Sequence, residues 1–587
     1  MSEKSTNIIA FLLLLIMFVS AFSSYLGDST TFDESSHIPA GYSYLSQKDF
    51  RINPEHPPLI KDLAALPLLF LNLNFPSDSD AWNKDVNSQW AFGWELLYNS
   101  GNNPEQITFW ARLPMVFVLL FLGWFLFNWT KKEFGKEVAL LTLTFFSFSP
   151  NFLAHGRLVT TDVGITLGVL LATYFWLKFL KNPSKKNVIL TGIVFGISML
   201  LKFSVVLVIP LFIIITIIYS LLKRENLLKY LFLSVLVGVI GVIFVILPVY
   251  QFHILNYSPE RQLSDTITIL EPFPMKSLKN LCIWMADKPI IRALGHYFLG
   301  LLMAIQRTSF GNTVYFMNMI SASGWWYYFP IVYVLKVPLA FHILTLISLL
   351  LTIFFIDKPF WIDTFNRLKN CILNHFTEFS MTVFLIIYWA TSISGNLNIG
   401  LRHILPTFPF TYVLVSLGLI SVIKKIKRPV FKKTGILTIA LLLSWYIFSS
   451  LSSYPYYLSY FNEIASGSNN GYKYVVDSNY DWGQDLKRLA QWLEEKGVKK
   501  IKVDYFGGGD LNYSLGDKWE RFNPLEGPQK GWLAISVTLL QGGRGNPTPD
   551  FNQPALYYKW LDNYEPIARA GKSIFIYHVR TLPSAEP

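Results

Sequence analysis

Two carboxylates stand side by side just after the first apolar run, in Thr31-Phe32-Asp33-Glu34-Ser35-Ser36-His37. A carboxylate held at the mouth of a helical bundle can take the proton of an attacking hydroxyl, so Asp33, supported by Glu34, is a candidate general base. The plainer reading of the pair is a solvated loop or a helix N-cap. Further on, Asn53-Pro54-Glu55-His56-Pro57-Pro58 pins Glu55 and His56 among prolines, which fix the backbone and deny it a helix. Glu and His are also metal-ligand types. A divalent metal is therefore a candidate cofactor at Glu55 and His56, although two ligands alone do not make a site. Cations recur at the ends of apolar runs: Arg112, Arg157, Lys202, Lys336 and Arg402, with Asp162 and His403 close to them in sequence. Ionisable groups at membrane depth are costly and usually face a cavity or a partner. Taken singly, each could instead snorkel to the interface. Together, a ring of cations near carboxylates suits an anionic lipid headgroup, with arginine gripping phosphate bidentately and lysine acting as a point charge.

A membrane bundle must position these groups. Of the 587 residues, 52% are hydrophobic and 15% charged. A bilayer core asks for roughly 20 apolar residues per helix, and only helices or closed barrels satisfy the backbone there. The alternation of a membrane barrel is absent. Apolar runs predict about eleven spans, near 8–26, 108–130, 137–155, 163–180, 187–201, 203–222, 230–250, 328–356, 380–395, 404–423 and 434–452. The net charge of +12 does not point to nucleic acid. Basic residues cluster in alternate connections: Lys131, Lys132 and Lys136; Lys178, Lys181, Lys185 and Lys186; Lys223, Arg224 and Lys229; Lys358, Arg367 and Lys369; and the six from Lys424 to Lys433. The intervening short connections hold only Arg157, Lys202 and Arg402. This asymmetry assigns the basic connections, and with them the N-terminus, to the cytoplasm and leaves the C-terminus outside. The first apolar run lacks a small-residue exit and reads as an anchor rather than a cleaved signal peptide. Cys282 and Cys371 fall on opposite sides in this topology, so no internal disulfide is expected.

Three long segments are then external: 27–107, 251–327 and 453–587. The first two carry short surface helices, and Gly324-Trp325-Trp326-Tyr327-Tyr328-Phe329-Pro330 reads as an interfacial aromatic belt. The chain divides into a membrane module, 1–452, and a soluble α/β domain, 453–587. In the latter, strands are predicted at Tyr472–Val476, Lys500–Tyr505, Trp532–Val537 and Lys572–His578. Helices are predicted at Asp485–Lys496, capped by Gly497, and at Ala555–Tyr564. Gly507-Gly508-Gly509-Asp510 lacks the lysine and Ser/Thr of a phosphate loop and reads as a tight turn. Asn256-Tyr257-Ser258 is a glycosylation triplet of a kind that arises by chance.

The order and placement of these motifs resemble the GT-C superfamily of polyprenyl-phosphate-dependent glycosyltransferases, in particular the protein O-mannosyltransferases and the lipid A aminoarabinose transferases of bacteria. The resemblance rests on Asp33-Glu34; Glu55-His56-Pro57-Pro58-Leu59 with Lys61; Arg112-Leu113-Pro114; Arg157 through Thr161-Asp162; and Leu201-Lys202. It rests also on Trp325 to Pro330 with Lys336 and Pro338, on Arg402-His403-Ile404-Leu405-Pro406, and on Asp477-Ser478-Asn479-Tyr480-Asp481-Trp482-Gly483-Gln484-Asp485-Leu486. It implies a mostly α, polytopic GT-C-like bundle in a bacterial plasma membrane. The implied activity moves a sugar from a polyprenyl-phosphate donor to an extracytoplasmic acceptor, with inversion. Asp33 would be the base and Glu34 its support. Arg112, Lys202, Arg402 and Lys336 would hold the donor phosphate, and Glu55, His56, Arg157, Asp162 and His403 the substrates. The Glu55-His56 pair departs from the versions in relatives, which leaves metal ligand and scaffold both open for it. Two other classes fit a cationic cavity: a flippase for a lipid-linked glycan, and a membrane-anchored assembly protein. An apolar lateral groove leading to Asp33 would favour the transferase, and a closed bundle the assembly protein.

Overall fold

The computed structural model describes residues 2–354 and 364–580. Lys358, the end of the span expected at 328–356 and the last residues of the 453–587 segment lie outside the described residues. The described chain is mainly a helical bundle. Among the described residues, eight helices are long and apolar enough to cross a membrane, or nine if the bent pair Tyr328–Lys336 and Leu339–Phe354 counts as one span. All eleven expected segments are helical, and two of them are short of spanning length. The third breaks into Lys136–Ser147 and Pro150–His155, where Pro150 cannot continue the helix before it. The fifth, Lys185–Met199, stops at the turn that presents Lys202. The bent pair turns by 108° at Val337-Pro338. Large apolar side chains such as Leu228 (78% exposed), Phe244 (70%) and Phe448 (70%) stand on the bundle's outside. Lipid is the solvent that such a surface requires.

The 27–107 segment folds as short helices, Glu34–Gln47, Leu59–Ala65 and Gln89–Trp94, over one end of the bundle. Its loop at 53–58 is built around Lys61. That buried ammonium nitrogen lies 2.7 Å from Tyr44 Oη, 2.9 Å from Asn53 O, 3.0 Å from Asn53 Oδ1 and 2.8 Å from His56 O. Burial pushes the Lys61 amine well below its ordinary value.

The C-terminal region forms a five-stranded mixed sheet in the order Trp519–Arg521, Ile501–Asp504, Gly531–Ser536, Ile574–Val579 and Ala568–Ala570. The amphipathic helix Leu486–Lys496 packs Leu486, Leu489 and Leu493 into its core and ends on Gly497 at φ 62°. Two expected elements differ. Tyr472–Val476 is a 3-10 turn at Gly471–Lys473 with one bridge between Val475 and Phe316, because the Tyr474 carbonyl is taken by Met317 N at 2.8 Å. Ala555–Tyr564 contains only the 3-10 turn Lys559–Asn563. There the amide of Tyr558 goes to Gly543 O (2.9 Å) and its hydroxyl to Asp504 (2.5 Å). Asn546–Pro547 also pairs with Met319–Ser321 of the 251–327 segment, so the C-terminal region is knitted onto the bundle. Cys282 is buried, Cys371 exposed, and both are free.

Candidate active site

The helix Glu34–Gln47 begins at Asp33, and the two carboxylates there go separate ways. Glu34 is fully buried and paired with Arg112 through Nε to Oε1 (2.8 Å) and Nη2 to Oε2 (2.6 Å). Oε2 also accepts from Thr31 N and Oγ1, both 2.9 Å, and Oε1 from Val159 N at 3.0 Å. Burial alone would raise this carboxyl. Arg112 and the two backbone amides outweigh it and hold the group below its usual range. The remaining Arg112 donors reach the carbonyls of Tyr25 (3.2 Å), Asp28 (3.0 Å) and Ser29 (2.7 Å). All five guanidinium hydrogens are used.

Asp33 instead faces a cavity of about 130 Å³, lined also by His37, Glu55, His56, Lys202, Arg307, Arg402 and His403. Its Oδ2 accepts from Arg402 Nη1 at 2.6 Å. The same Nη1 lies 3.5 Å from Asp162, which pairs with Lys202 at 2.6 Å. Acids and cations thus alternate in one chain of ion pairs, Asp33, Arg402, Asp162 and Lys202, with Asp162 just behind the wall. On another wall Arg307 stands 3.4 Å from Glu55, which also accepts from Gln89 at 3.2 Å. Burial works against ionised Asp33, but Arg402 and His37 prevail and keep it below the ordinary carboxylate value. His37 and His56 meet edge to face with centroids 5.1 Å apart, and burial lowers both. They therefore offer neutral ring nitrogens. His37 uses Nδ1 on Val159 O at 3.0 Å. Buried Arg402 Nε, Asp162 Oδ2 and His403 Nε2 have no hydrogen-bond partner among the described residues, which is what a polar ligand would complete.

A second, mostly apolar cavity of about 340 Å³ adjoins the first. Phe203, Ser204, Ala304, Thr308, Leu397 and His403 line both, so the polar chamber continues into a groove. Its walls come from the helices Ile291–Phe310 and Phe376–Ser394 and the turn Phe203–Leu207.

Of the residues singled out in the sequence, the chamber gathers Asp33, Glu55, His56, Lys202, Arg402 and His403 directly, and Asp162 through its two ion pairs. Glu34 and Arg112 sit behind it. Arg157 pairs with Asp28 at 2.9 Å, away from the chamber. Lys336 donates to the carbonyls of Leu458 (2.8 Å) and Asn479, with its ammonium 4.7 Å from the Phe461 ring. Arg112, Arg157 and Lys336 have the expected depth but point elsewhere, because each meets carboxylates or carbonyls of its own. Arg307 was missed. It lies on a helix that reads from sequence as part of an external loop. Among the described residues, no three His, Cys, Asp or Glu side chains converge as a metal site would require.

Residues 105–250 match the family model of the dolichyl-phosphate-mannose-protein mannosyltransferases. The match is confined to that segment, which holds the second to seventh of the expected spans. No curated protein sequence matches it. Among solved structures, it is similar to ArnT from Cupriavidus metallidurans bound to undecaprenyl phosphate, with 11% identity, all of both chains covered and a TM-score of 0.46. It is also similar to the Archaeoglobus fulgidus oligosaccharyltransferase in its apo form, with 10% identity, 93% of this chain and 72% of that one covered, and a TM-score of 0.48. With eight helices long and apolar enough to cross a membrane among the described residues, the chain is an integral membrane protein.

Proposed function

We propose that the protein transfers a sugar from a polyprenyl-phosphate donor to an extracytoplasmic acceptor, with inversion at the anomeric carbon. The observation that carries this reading is the continuity of the two cavities. A mostly apolar groove opening beside the spanning helix Phe376–Ser394 suits a prenyl tail, and the chamber at its end suits the sugar and phosphate. Lys202 and Arg307 line that chamber close to the shared residues and would hold the phosphate, with Arg402 in reach. Cations already in place stabilise a leaving phosphate without reorganisation, which is usually the largest catalytic contribution. Asp33, ionised at neutral pH, would take the proton of the acceptor hydroxyl as it attacks. Asp162, Glu55, His56 and His403 would contact sugar hydroxyls, and Glu34 would fix the loop. One displacement suffices. A covalent glycosyl intermediate would need a second carboxylate as nucleophile, and Glu34 is committed to Arg112. The chamber and the C-terminal region would face outward, in a bacterial plasma membrane, with the N-terminus inside. A flippase has no use for a carboxylate base fixed beside the cations.

The test incubates purified protein with labelled polyprenyl-phosphate sugars and a membrane extract, and identifies the labelled product. Transfer by the wild type and a fall of about 10²–10⁴-fold in Asp33→Asn is the expected result. Loss of donor label without any glycosylated product from every donor would overturn the reading.

A further inference from the structure

The segment 477–486 lies in the C-terminal region, yet it reaches the chamber. Trp482 is 1% exposed, and its indole lies under the guanidinium of Arg402, whose Cζ is 4.2 Å from the ring centroid. The carbonyl of Trp482 accepts from the amide of Phe32, the residue before Asp33, at 3.0 Å. Asn479 Oδ1 accepts from the amide of Leu401, the residue before Arg402, at 2.9 Å. One short segment therefore grips the chain immediately ahead of both partners of the Asp33–Arg402 pair. Neighbouring bonds reinforce this: Ser29 N to Gln484 O at 2.9 Å, and Ser478 Oγ to Ile399 O at 2.6 Å. Arg402 itself needs an outside constraint. Its Nε has no protein partner, and its Nη1 is shared between Asp33 at 2.6 Å and Asp162 at 3.5 Å. Two carboxylates compete for one donor, and the flat indole face selects the plane in which the guanidinium can lie.

We propose that Trp482 is a positioning residue for the transfer reaction, holding the Arg402 guanidinium against Asp33, so that the C-terminal segment completes the active site. This rests on the reading of Asp33 as the base. A cation over an aromatic face, away from water, is held firmly, and an aliphatic side chain of similar bulk cannot replace that attraction. The charged and titratable groups acting most strongly on Asp33 include Arg402, His37, Asp162 and Asp477. Of these, only Arg402 lies on Trp482, so a change at Trp482 reaches Asp33 through the guanidinium.

The experiment labels the full-length protein in detergent with a hydrophobic carbodiimide, which reacts with protonated carboxyls, across a range of pH, and reads modification of Asp33 by mass spectrometry. It requires no sugar donor. In the wild type, Arg402 keeps Asp33 ionised, so labelling begins only at low pH. For Trp482→Leu the onset moves upward by about one pH unit, about tenfold more label at a fixed pH well above both midpoints. Trp482→Phe, which keeps an aromatic face, stays near the wild type, and Arg402→Ala shifts furthest. The proposal is overturned if Trp482→Leu labels like the wild type while Arg402→Ala shifts. It is overturned equally if the Leu and Phe variants shift alike, or if Trp482→Leu fails to fold where Arg402→Ala folds, since Trp482 is then a space-filling residue. The expected labelling pattern in a protein that transfers no sugar would leave the positioning intact and remove the transferase reading instead.

Discussion

Asp33 and Glu34 are adjacent, each faces an arginine, and the two pairs are built for opposite purposes. Glu34 meets Arg112 through two bonds, and every remaining donor of that arginine is taken by backbone carbonyls. Asp33 meets Arg402 through one nitrogen, which a second carboxylate also approaches, while Arg402 Nε stays unpartnered. The first pair is saturated and closed to ligands. The second keeps unsatisfied capacity and borders a cavity. Two adjacent groups with the same chemistry thus divide into a lock and a working site by how many of their hydrogen bonds are already made. A buried polar group left partly unsatisfied is costly, and such a cost is expected where a substrate completes the set.

Breaking the lock should have the largest effect. Arg112→Leu leaves Glu34 buried without its cation, a loss of about 3–5 kcal/mol for a buried pair. The variant should yield little folded protein, and added polyprenyl phosphate should not rescue its melting transition in detergent. A variant that melts like the wild type would erase the distinction between the pairs. Asp33→Asn should do the reverse. It keeps the shape and removes the basicity, so the fold should survive while turnover falls about 10²–10⁴-fold, as for loss of a general base. Donor affinity should hold or improve, because a negative charge has left the chamber. Normal turnover would make Asp33 structural. If turnover and donor binding collapse together, the loop itself depends on Asp33, and it belongs with Glu34.

Lys202→Ala should have a smaller effect than either. Its ammonium lies 2.6 Å from Asp162, with its side chain 12% exposed, so it can leave that partner for a phosphate. Losing a charge-assisted contact costs roughly 1.5–3 kcal/mol, about ten- to a hundredfold in affinity. Titration with a polyprenyl phosphate, with the melting temperature followed in parallel, checks this. Unchanged binding would remove Lys202 from the phosphate grip and leave Arg307 and Arg402 as its holders.

The sequence carried the membrane bundle and the short list of ionisable groups at helix mouths, because apolar length and charge placement are local signals. It did not carry direction. Arg112, Lys202 and Arg402 look equivalent from depth alone, and which way each points depends on the azimuth of its helix and on partners far away in the chain. Asp33 and Arg402 are 369 residues apart. Arg307 escaped because its helix, Ile291–Phe310, is interrupted by polar residues and reads as loop. Trp482 stood out as part of a family-like motif, but nothing local says that an indole in the C-terminal region supports a guanidinium at the bundle's mouth. The strand expected at Tyr472–Val476 failed for a related reason: its backbone is spent on a distant hairpin.

A third carboxylate extends the comparison to its limit, and its expected effect is the smallest. Asp481 is fully buried, and it accepts from Thr538 N at 3.0 Å and Gly483 N at 3.3 Å. Among the described residues no ion pair joins it to a cation. Burial, aided by Asp485, outweighs those two amides and pushes its carboxyl up to about 7. Asp33 and Glu34, held low by arginines, help the fold once they are ionised and lose that help as pH falls through their depressed values. Asp481 has the opposite sign. Its folded value lies above the unfolded one of about 4, so its contribution is complete below about pH 4, declines as pH rises, and is gone once pH passes about 7. The wild-type melting temperature should therefore carry a downward component across that window. Asp481→Asn, which cannot ionise and retains an oxygen for the Thr538 amide, should flatten it. The difference between the two melting curves against pH isolates this one group from every other titration. If the curves run parallel from pH 4 to 8, Asp481 is not neutral in the fold. Burial without a cation would then not be what separates it from Asp33.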